Sequence, residues 1–353
     1  MNLTLSINQI FKLLSINGMD KTYIVEGPMG SGKSSIVKMA DTSKYNVVTI
    51  DCTQWDVGDV QIPSVDKVAK VVEFLPNVLL VGDRSKPMFI LLDEIGKASR
   101  PVQNALLPVM LERRVGAVPL PAGSIVFGAT NLGAEGVGDL FQAHACNRVS
   151  FIEMRPPVAD EWIEWGLSNH VHEAMLAWAK EEGSRLFGTF KDHENPADFP
   201  YGFHPREKRR SFVTPRSLYL ASVELREDRR KAIGDEDITL AAIAGNLGQR
   251  AALDLMAFVQ LADKLPSWNL VLNEPDAAPV PDNAAAMMML VHRAVMRVER
   301  DTLKPVMTYI QRLPKEMQCV FATQLLRMRH KSAWVALSGV FTAWVTEHHW
   351  LLK

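Results

Sequence analysis

The sequence predicts an α/β protein in which a parallel β-sheet core precedes a region built from helices alone. Short apolar runs rich in β-branched residues alternate with helical patterns up to about residue 155, which is typical of strands joined by crossover helices. A glycine-rich stretch, 27–34, stands where the first strand passes into a helix. After Pro156-Pro157 only helical spacing remains. We therefore expect an α/β core over residues 1–155, a helical segment over 156–235 and a further helical region over 236–353.

Composition and charge are those of an ordinary globular protein. Of 353 residues, 47% are hydrophobic and 22% charged. The 39 Lys and Arg nearly balance the 40 Asp and Glu, so no overall field attracts nucleic acid or an acidic membrane. The cysteines, Cys52, Cys146 and Cys319, lack the spacing of a zinc site or a disulfide framework. No apolar run approaches the roughly 18 residues of a membrane span, and the N-terminus has no signal-peptide pattern. We expect a cytoplasmic protein without a membrane contact.

The stretch 27–34, the phosphate loop, fits the pattern G-x-x-x-x-G-K-[ST] at every fixed position. Residues 23–26 before it predict a strand and 34–40 after it predict a helix, which is the context that the motif requires. Backbone N–H groups and the helix N-terminus then bind a β-phosphate. Lys33 is expected to reach the β- and γ-phosphates, and the Ser34 hydroxyl to bind Mg²⁺. The predicted nucleotide-binding residues of this segment are Gly27, Pro28, Met29, Gly30, Ser31, Gly32, Lys33, Ser34 and Ser35.

The remaining core elements follow in order. Residues 45–51 are β-branched and predict a second strand, whereas 54–83, with turn formers, polar groups and mixed apolar character, is predicted to be less regular. The continuous apolar run 87–94 is typical of a strand buried on both faces of a parallel sheet. Helical spacing follows over 95–114, where Pro108 predicts a kink or two separate segments.

Two more strands complete the predicted core, over 124–131 and 148–153. The region beyond them is predicted to be helical, with a linker or long loop over 273–286. The predicted helices are 160–172, 173–187, 214–228, 235–265 and 284–353.

Two carboxylates, Asp93 and Glu94, end the run 87–94. By themselves they also fit a helix N-cap pair. Because ligands bind at the carboxyl ends of parallel strands, their combination with the phosphate loop indicates a nucleotide hydrolase. Asp93 then binds Mg²⁺ directly or through water, and Glu94 activates the attacking water as general base. The predicted metal ligands are Ser34 and Asp93.

Three further side chains are candidates for the catalytic set. Asn131 ends the strand 124–131, so its amide is expected near the γ-phosphate or the attacking water, the other interpretation being a turn residue. Arg148 and Arg216 are candidates for stabilising charge on the γ-phosphoryl group, the alternative being ordinary solvated arginines. The predicted catalytic residues are Glu94, Asn131, Arg148 and Arg216.

Five segments together resemble the AAA+ ATPases of the MoxR group. They are GPMGSGKSS (27–35), FILLDEIGKASRPVQNALLPVMLERRVG (89–116), FGATN (127–131), NRV (147–149) and TPRS (214–217), in the family's order and spacing. The resemblance implies Walker A at 27–34, Walker B at 89–94, sensor 1 at Asn131, a trans-acting arginine finger at Arg148 and sensor 2 at Arg216.

The same resemblance implies the architecture and the partners. It implies an AAA+ P-loop NTPase core, a helical lid over 156–235, ATP and Mg²⁺ as cofactors, and assembly into rings that are usually hexamers. Segments 160–165 and 214–216 are also similar to members encoded beside von Willebrand factor A-domain proteins in bacteria and phages, which makes such a protein the implied partner.

These observations favour a ring-forming ATPase that remodels or assembles a protein client. A helicase loader, or a DNA-replication or packaging factor with the same core, is one alternative, and the near-neutral net charge counts against it. A nucleotide-gated interaction module with negligible hydrolysis is another, and the Asp93–Glu94 pair counts against that one.

Overall fold

The computed structural model describes residues 3–132 and 146–348. The chain forms two compact units, Met1–Pro157 and Val158–Lys353. The division falls at the proline pair where the composition of the sequence changes. A further division at residues 235 and 236 stays a prediction.

The first unit is built on a parallel sheet, as predicted; the sheet has six strands, five of them at predicted positions. Its strands are β1 (Thr4–Leu5), β2 (Tyr23–Gly27), β3 (Asn46–Asp51), β6 (Met88–Asp93), β9 (Ile125–Asn131) and β10 (Ser150–Met154). Their order across the sheet is β1-β10-β2-β9-β6-β3, and all neighbours are parallel. Two antiparallel pairs lie outside this sheet, β4 (Gln61–Asp66) with β5 (Val71–Pro76) and β7 (Arg114–Val115) with β8 (Val118–Pro119).

Helices cover both faces of the sheet, which explains why the run that forms β6 is continuously apolar. On one face, Ile90 packs in a cluster with side chains of the helix Arg100–Glu112. On the other face, Phe89 packs with side chains of the helix Ile7–Asn17 and of the 3₁₀ helix Lys33–Met39. The first unit also contains the helices Val57–Val60 and Val78–Val81 and the 3₁₀ turn Ile95–Lys97.

Three details of this unit differ from the predictions. The stretch expected to be irregular contains the β4–β5 hairpin. The segment after the phosphate loop is a 3₁₀ helix of seven residues, Lys33–Met39, which is long for this type of helix. The helix Arg100–Glu112 continues through Pro108; the interruption lies before Pro101, which occupies the first turn, where its missing N–H costs no hydrogen bond.

The second unit is helical, as predicted, but its helices are shorter than expected, and Gly248 divides the predicted helix 235–265. Its α-helices are Ala159–Ser168, Glu173–Glu182, Ser184–Phe187, Pro215–Glu224, Glu227–Ile233, Glu236–Leu247, Gln249–Ala262, Trp268–Asn273, Ala284–Arg297, Leu303–Ile310, Lys315–Arg327, Arg329–Ala336 and Gly339–His348. Two 3₁₀ turns, Phe190–Asp192 and Pro196–Asp198, lie among them. No helix in the described ranges is long and apolar enough to cross a membrane.

Buried polar groups tie these helices together. The guanidinium of Arg293 lies 2.6 Å from the carboxylate of Glu173, and both side chains are largely buried. The ammonium of Lys331, which is 6% exposed, donates to the carbonyl oxygens of Val295, Met296 and Val298 at 2.8 to 2.9 Å. Lys331 thereby satisfies carbonyls that a helix end otherwise leaves without a partner.

Candidate active site

The carboxyl ends of three neighbouring strands bring most of the predicted site residues together. Strand β9 lies between β2 and β6, and Asn131 of β9 is the register partner of Gly27 at the end of β2. Asp93 ends β6, and Glu94 follows it directly. This edge of a parallel sheet is where such folds bind ligands.

The phosphate loop has the backbone of an anion site. Gly30 and Gly32 have φ angles of +67° and +100°, in a region that other residues rarely adopt. Lys33 is 6% exposed, and its ammonium donates to the carbonyl oxygens of Gly27 at 2.8 Å and Pro28 at 2.9 Å. The positive charge therefore lies inside the loop, the position from which the lysine of such a loop contacts nucleotide phosphates.

The other predicted loop residues shape the loop itself. The Ser31 hydroxyl donates to the carbonyl of Pro28 at 2.7 Å, and the Ser35 N–H donates to the carbonyl of Gly32 at 2.8 Å. Met29 is half-buried. These bonds keep the loop closed around Lys33.

The predicted metal ligands, Ser34 and Asp93, are hydrogen-bonded to each other. The Ser34 hydroxyl donates to Asp93 Oδ2 at 2.7 Å, and the backbone N–H of Glu94 donates to Asp93 Oδ1 at 3.1 Å. A hydroxyl and a carboxylate this close suit Mg²⁺, which in nucleotide sites takes one or two protein oxygens together with phosphates and waters. Residues 3–132 and 146–348 contain no group of three or more His, Cys, Asp or Glu that could hold a metal.

The carboxylate of Glu94 is held from two sides. Asn131 Nδ2 donates to Glu94 Oε1 at 3.1 Å, and Lys97 Nζ lies 2.9 Å from Oε2. The Asn131 amide also links this carboxylate to the phosphate loop, because its Oδ1 accepts a hydrogen bond from Lys33 Nζ at 2.8 Å. Glu94 itself has φ +52° and ψ +31°, a left-handed conformation that is uncommon for non-glycine residues and recurs at functional sites.

The sequence supports an assignment at the level of a domain family. Residues 23–153 match the family described as the ATPase family associated with various cellular activities (AAA). Residues 23–153 are an AAA domain. Strands β2, β3, β6 and β9 and the hydrogen-bonded residues above lie within it.

Similar solved structures share few residues with the chain. Hsp104 in its closed state, with ATPγS and casein, has 16% identity and a TM-score of 0.38 over 48% of this chain and 36% of that chain. The chain thus spans about a third of the Hsp104 chain. A mutant of RuvB from Thermotoga maritima has 15% identity and a TM-score of 0.38 over 87% and 85%. NtrX from Brucella abortus with ADP has 13% identity and a TM-score of 0.35 over 99% and 69%. No curated protein sequence matches the chain.

Both predicted arginines have exposed side chains. Arg148 is exposed, and no described residue forms a hydrogen bond or ion pair with it. Arg216 is also exposed and belongs to the second unit, in the first turn of the helix Pro215–Glu224. The side chain of Thr214 caps that helix by accepting from the N–H of Ser217 at 3.0 Å. The roles of Arg148 and Arg216 stay predictions.

Cys52 adjoins the site of the AAA domain but is not a reactive group. Its backbone N–H donates to the carbonyl of Asp93 at 3.0 Å. Burial, and then the negative charges of Asp51 and Asp93, raise the pKa of the Cys52 thiol. A thiol must ionise to act as a nucleophile, and the Cys52 thiol instead donates to the carbonyl of Ile50 at 3.7 Å.

Lys97 is the residue of this site that sequence reasoning missed. Its signal is modest: a cation three residues after a carboxylate that ends a buried strand. Such a spacing occurs on many exposed helix faces, where it usually carries no function.

Proposed function

We propose that this chain is a Mg²⁺-dependent ATPase of the MoxR type that works as a ring, usually a hexamer in that group, and remodels or assembles a protein client. The observation that carries the proposal is the hydrogen-bonded connection from Lys33 through Asn131 to Glu94, with the Ser34–Asp93 pair beside it. It joins a phosphate-binding cation to a carboxylate that can activate water, which is what hydrolysis of a phosphoanhydride requires.

ATP binding begins with a change of partners at Lys33. Its ammonium donates to two carbonyl oxygens and to the amide oxygen of Asn131, and charged phosphate oxygens are stronger acceptors than these neutral oxygens. We expect Lys33 to turn to the β- and γ-phosphates, which also receive the N–H groups of the phosphate loop. Asn131 Oδ1 then loses this donor and becomes available to the attacking water, while Nδ2 keeps its bond to Glu94.

Ser34 and Asp93 are the side chains that would hold Mg²⁺. When bound there, the ion neutralises charge on the β- and γ-phosphate oxygens. Ser34 then directs its hydroxyl oxygen to the metal position in place of donating to Asp93. The backbone N–H of Glu94 keeps the carboxylate of Asp93 oriented.

Glu94 orients the water and accepts its proton as the bond from water to the γ-phosphorus forms and the bond from the γ-phosphorus to the β–γ bridging oxygen breaks, which releases ADP and phosphate. Lys33 offsets the charge that develops on the phosphoryl oxygens. The resemblance to the MoxR group assigns the remaining positive charge to Arg216 and to Arg148 of a neighbouring subunit. The exposure of Arg148 supports such an action outside its own chain.

The β4–β5 hairpin supports a protein client. Val65, Val68 and Phe74 are 65%, 94% and 48% exposed. A two-stranded hairpin has little stability by itself, and contiguous exposed apolar side chains commonly mark contact surfaces. A von Willebrand factor A-domain protein is the partner we propose, on the resemblance alone. The free cysteines fit the reducing, ATP-rich cytoplasm.

The decisive test is the variant Glu94→Gln, with Glu112→Gln, which changes an exposed carboxylate, as control. We expect the variant to bind ATP as the wild type does and to hydrolyse it about 10² to 10⁴ times more slowly, since that is the typical contribution of a general base. The control should hydrolyse ATP normally. Native turnover by Glu94→Gln contradicts the assignment of the base, and absence of Mg²⁺-dependent turnover in the wild type contradicts the proposed function.

The ring and the client are tested separately. Light scattering with ATP should give the mass of a hexamer, and a monomer would contradict assembly. ATP-dependent binding to duplex DNA with a steep salt dependence would favour a replication factor over a protein remodeller.

A further inference from the structure

Lys97 is built into the active site by its backbone. It ends the 3₁₀ turn that follows Glu94, and its N–H donates to the carbonyl of Glu94 at 2.8 Å. The turn packs closely on β9: a Cβ atom at Gly96 would lie 2.5 Å from Oγ1 of Thr130, so only glycine allows this approach. The backbone position of Lys97 is therefore held against the core of the sheet.

The Lys97 ammonium is directed at the general base. Nζ lies 2.9 Å from Glu94 Oε2, and the two side chains are only 26% and 28% exposed. Asn131 Nδ2 approaches the same carboxylate through Oε1 at 3.1 Å. The same Nδ2 also reaches Oε2, at a longer distance of 3.5 Å. Lys97 is thus the nearer donor to Oε2 and Asn131 the donor to Oε1, and Oε1 keeps a second lone pair for water.

The neighbouring carboxylates already have other donors on both oxygens. Asp51 accepts from the N–H and the hydroxyl of Thr53 at 3.0 and 2.6 Å and from Gln54 at 2.9 Å. Asp93 accepts from Ser34 and from the backbone after it. Lys97 therefore forms its ion pair with Glu94. Its positive charge also lowers the pKa of Asp51, but less than the hydrogen bonds from Thr53 and Gln54 do.

We propose that Lys97 is a positioning residue for the hydrolytic reaction: with Asn131 it fixes the orientation of the Glu94 carboxylate toward the attacking water. The inference rests on the proposed function, because it presumes that Glu94 is the general base. The ammonium touches neither ATP nor the water; it acts through Glu94. Its loss leaves Glu94 held from one side, so the carboxylate rotates away from the geometry that proton transfer requires.

The test compares Lys97→Met, Lys97→Arg and the control Lys44→Met, which removes an exposed lysine with the same spacing to an aspartate, Asp41. We expect Lys97→Met to lower kcat about tenfold, and kcat/KM equally, with ATP affinity and melting temperature unchanged. Lys97→Arg, which keeps a donor and a charge, should recover most of the rate. The control should match the wild type.

Parallel measurement of Glu94→Gln separates the inference from the proposed function. Native turnover in Glu94→Gln means that the base is wrong and the proposed function fails. Loss of turnover in Glu94→Gln together with native kcat in Lys97→Met means that only the role of Lys97 is wrong. A fall in kcat of Lys97→Met that is accompanied by an equal loss of ATP binding, or that Lys97→Arg does not relieve, also overturns the inference.

Discussion

His292 should make the second unit lose stability in mild acid. It lies on the helix Ala284–Arg297, is fully buried, and has no hydrogen-bond partner among the described residues at either ring nitrogen. Burial lowers the pKa of His292 from 6.5 to about 3, with a small opposing effect of the negative charge of Glu173. The folded protein therefore keeps this imidazole neutral at a pH where the unfolded chain protonates it.

The magnitude follows from the pKa difference. Above about pH 6.5 the group is neutral in both states and has no effect on the pH dependence. Between about pH 6.5 and pH 3 only the unfolded chain binds the proton, so each pH unit removes about 1.4 kcal/mol from the free energy of unfolding. From about pH 7.5 to pH 5 the loss from His292 is about 2 kcal/mol. His172, whose pKa is also lowered mainly by burial, adds to the loss in the same direction.

Urea unfolding followed by tryptophan fluorescence measures this effect, because every tryptophan except Trp55 lies beyond residue 158. We expect the stability advantage of His292→Leu over the wild type to grow by about 2 kcal/mol from about pH 7.5 to pH 5. His330→Gln, which alters an exposed histidine, should keep the wild-type pH dependence. Equal losses in the wild type and in His292→Leu would refute the reasoning.

Two further variants test the fold and the proposed ring. Lys331→Met should lower the free energy of unfolding by about 3 kcal/mol, since it leaves three carbonyls without their charged donor. The exposed control Lys264→Met should change it by less than about 0.5 kcal/mol. Equal effects of the two variants in urea unfolding would contradict the capping role. Arg148→Ala should bind ATP normally but hydrolyse it slowly, and mixing it with Lys33→Ala subunits should restore activity, because each supplies what the other lacks. No recovery on mixing, with normal turnover in the control Arg84→Ala, would argue against action in trans.

Much of the sheet could be predicted because its signals are local. A run such as 87–94 is continuously apolar only when both faces of a strand are buried, and its terminal carboxylates mark the end of that burial. The strands predicted before and after it were confirmed to within two residues. The β4–β5 hairpin could not be predicted in the same way, because its exposed apolar side chains produce neither a buried run nor a clear alternation of faces.

Most residues of the site could be predicted from the sequence, but the hydrogen bonds between them could not. The phosphate loop has a fixed spacing because its geometry depends on consecutive backbone groups. The contact between Lys33 and Asn131, by contrast, joins residues 98 positions apart. It depends on β9 lying between β2 and β6, an order that strand patterns alone do not determine. The left-handed backbone conformation of Glu94, just before the turn that carries Lys97, could not be predicted either, because glutamate has no preference for it.

The two lysines of the site divide its chemistry. Lys33 donates to neutral oxygens, one of them Oδ1 of Asn131, so we expect it to turn to the phosphates when ATP binds. Asn131 is affected by that movement because its amide group bonds both Lys33 and Glu94. Lys97 bonds the opposite oxygen of Glu94, on a turn that the core of the sheet holds in place. When Lys33 turns to the phosphates, Glu94 therefore keeps one fixed donor while its other donor becomes free to adjust. Loss of Lys33 should thus abolish ATP binding, whereas loss of Lys97 should spare binding and slow only the chemical step.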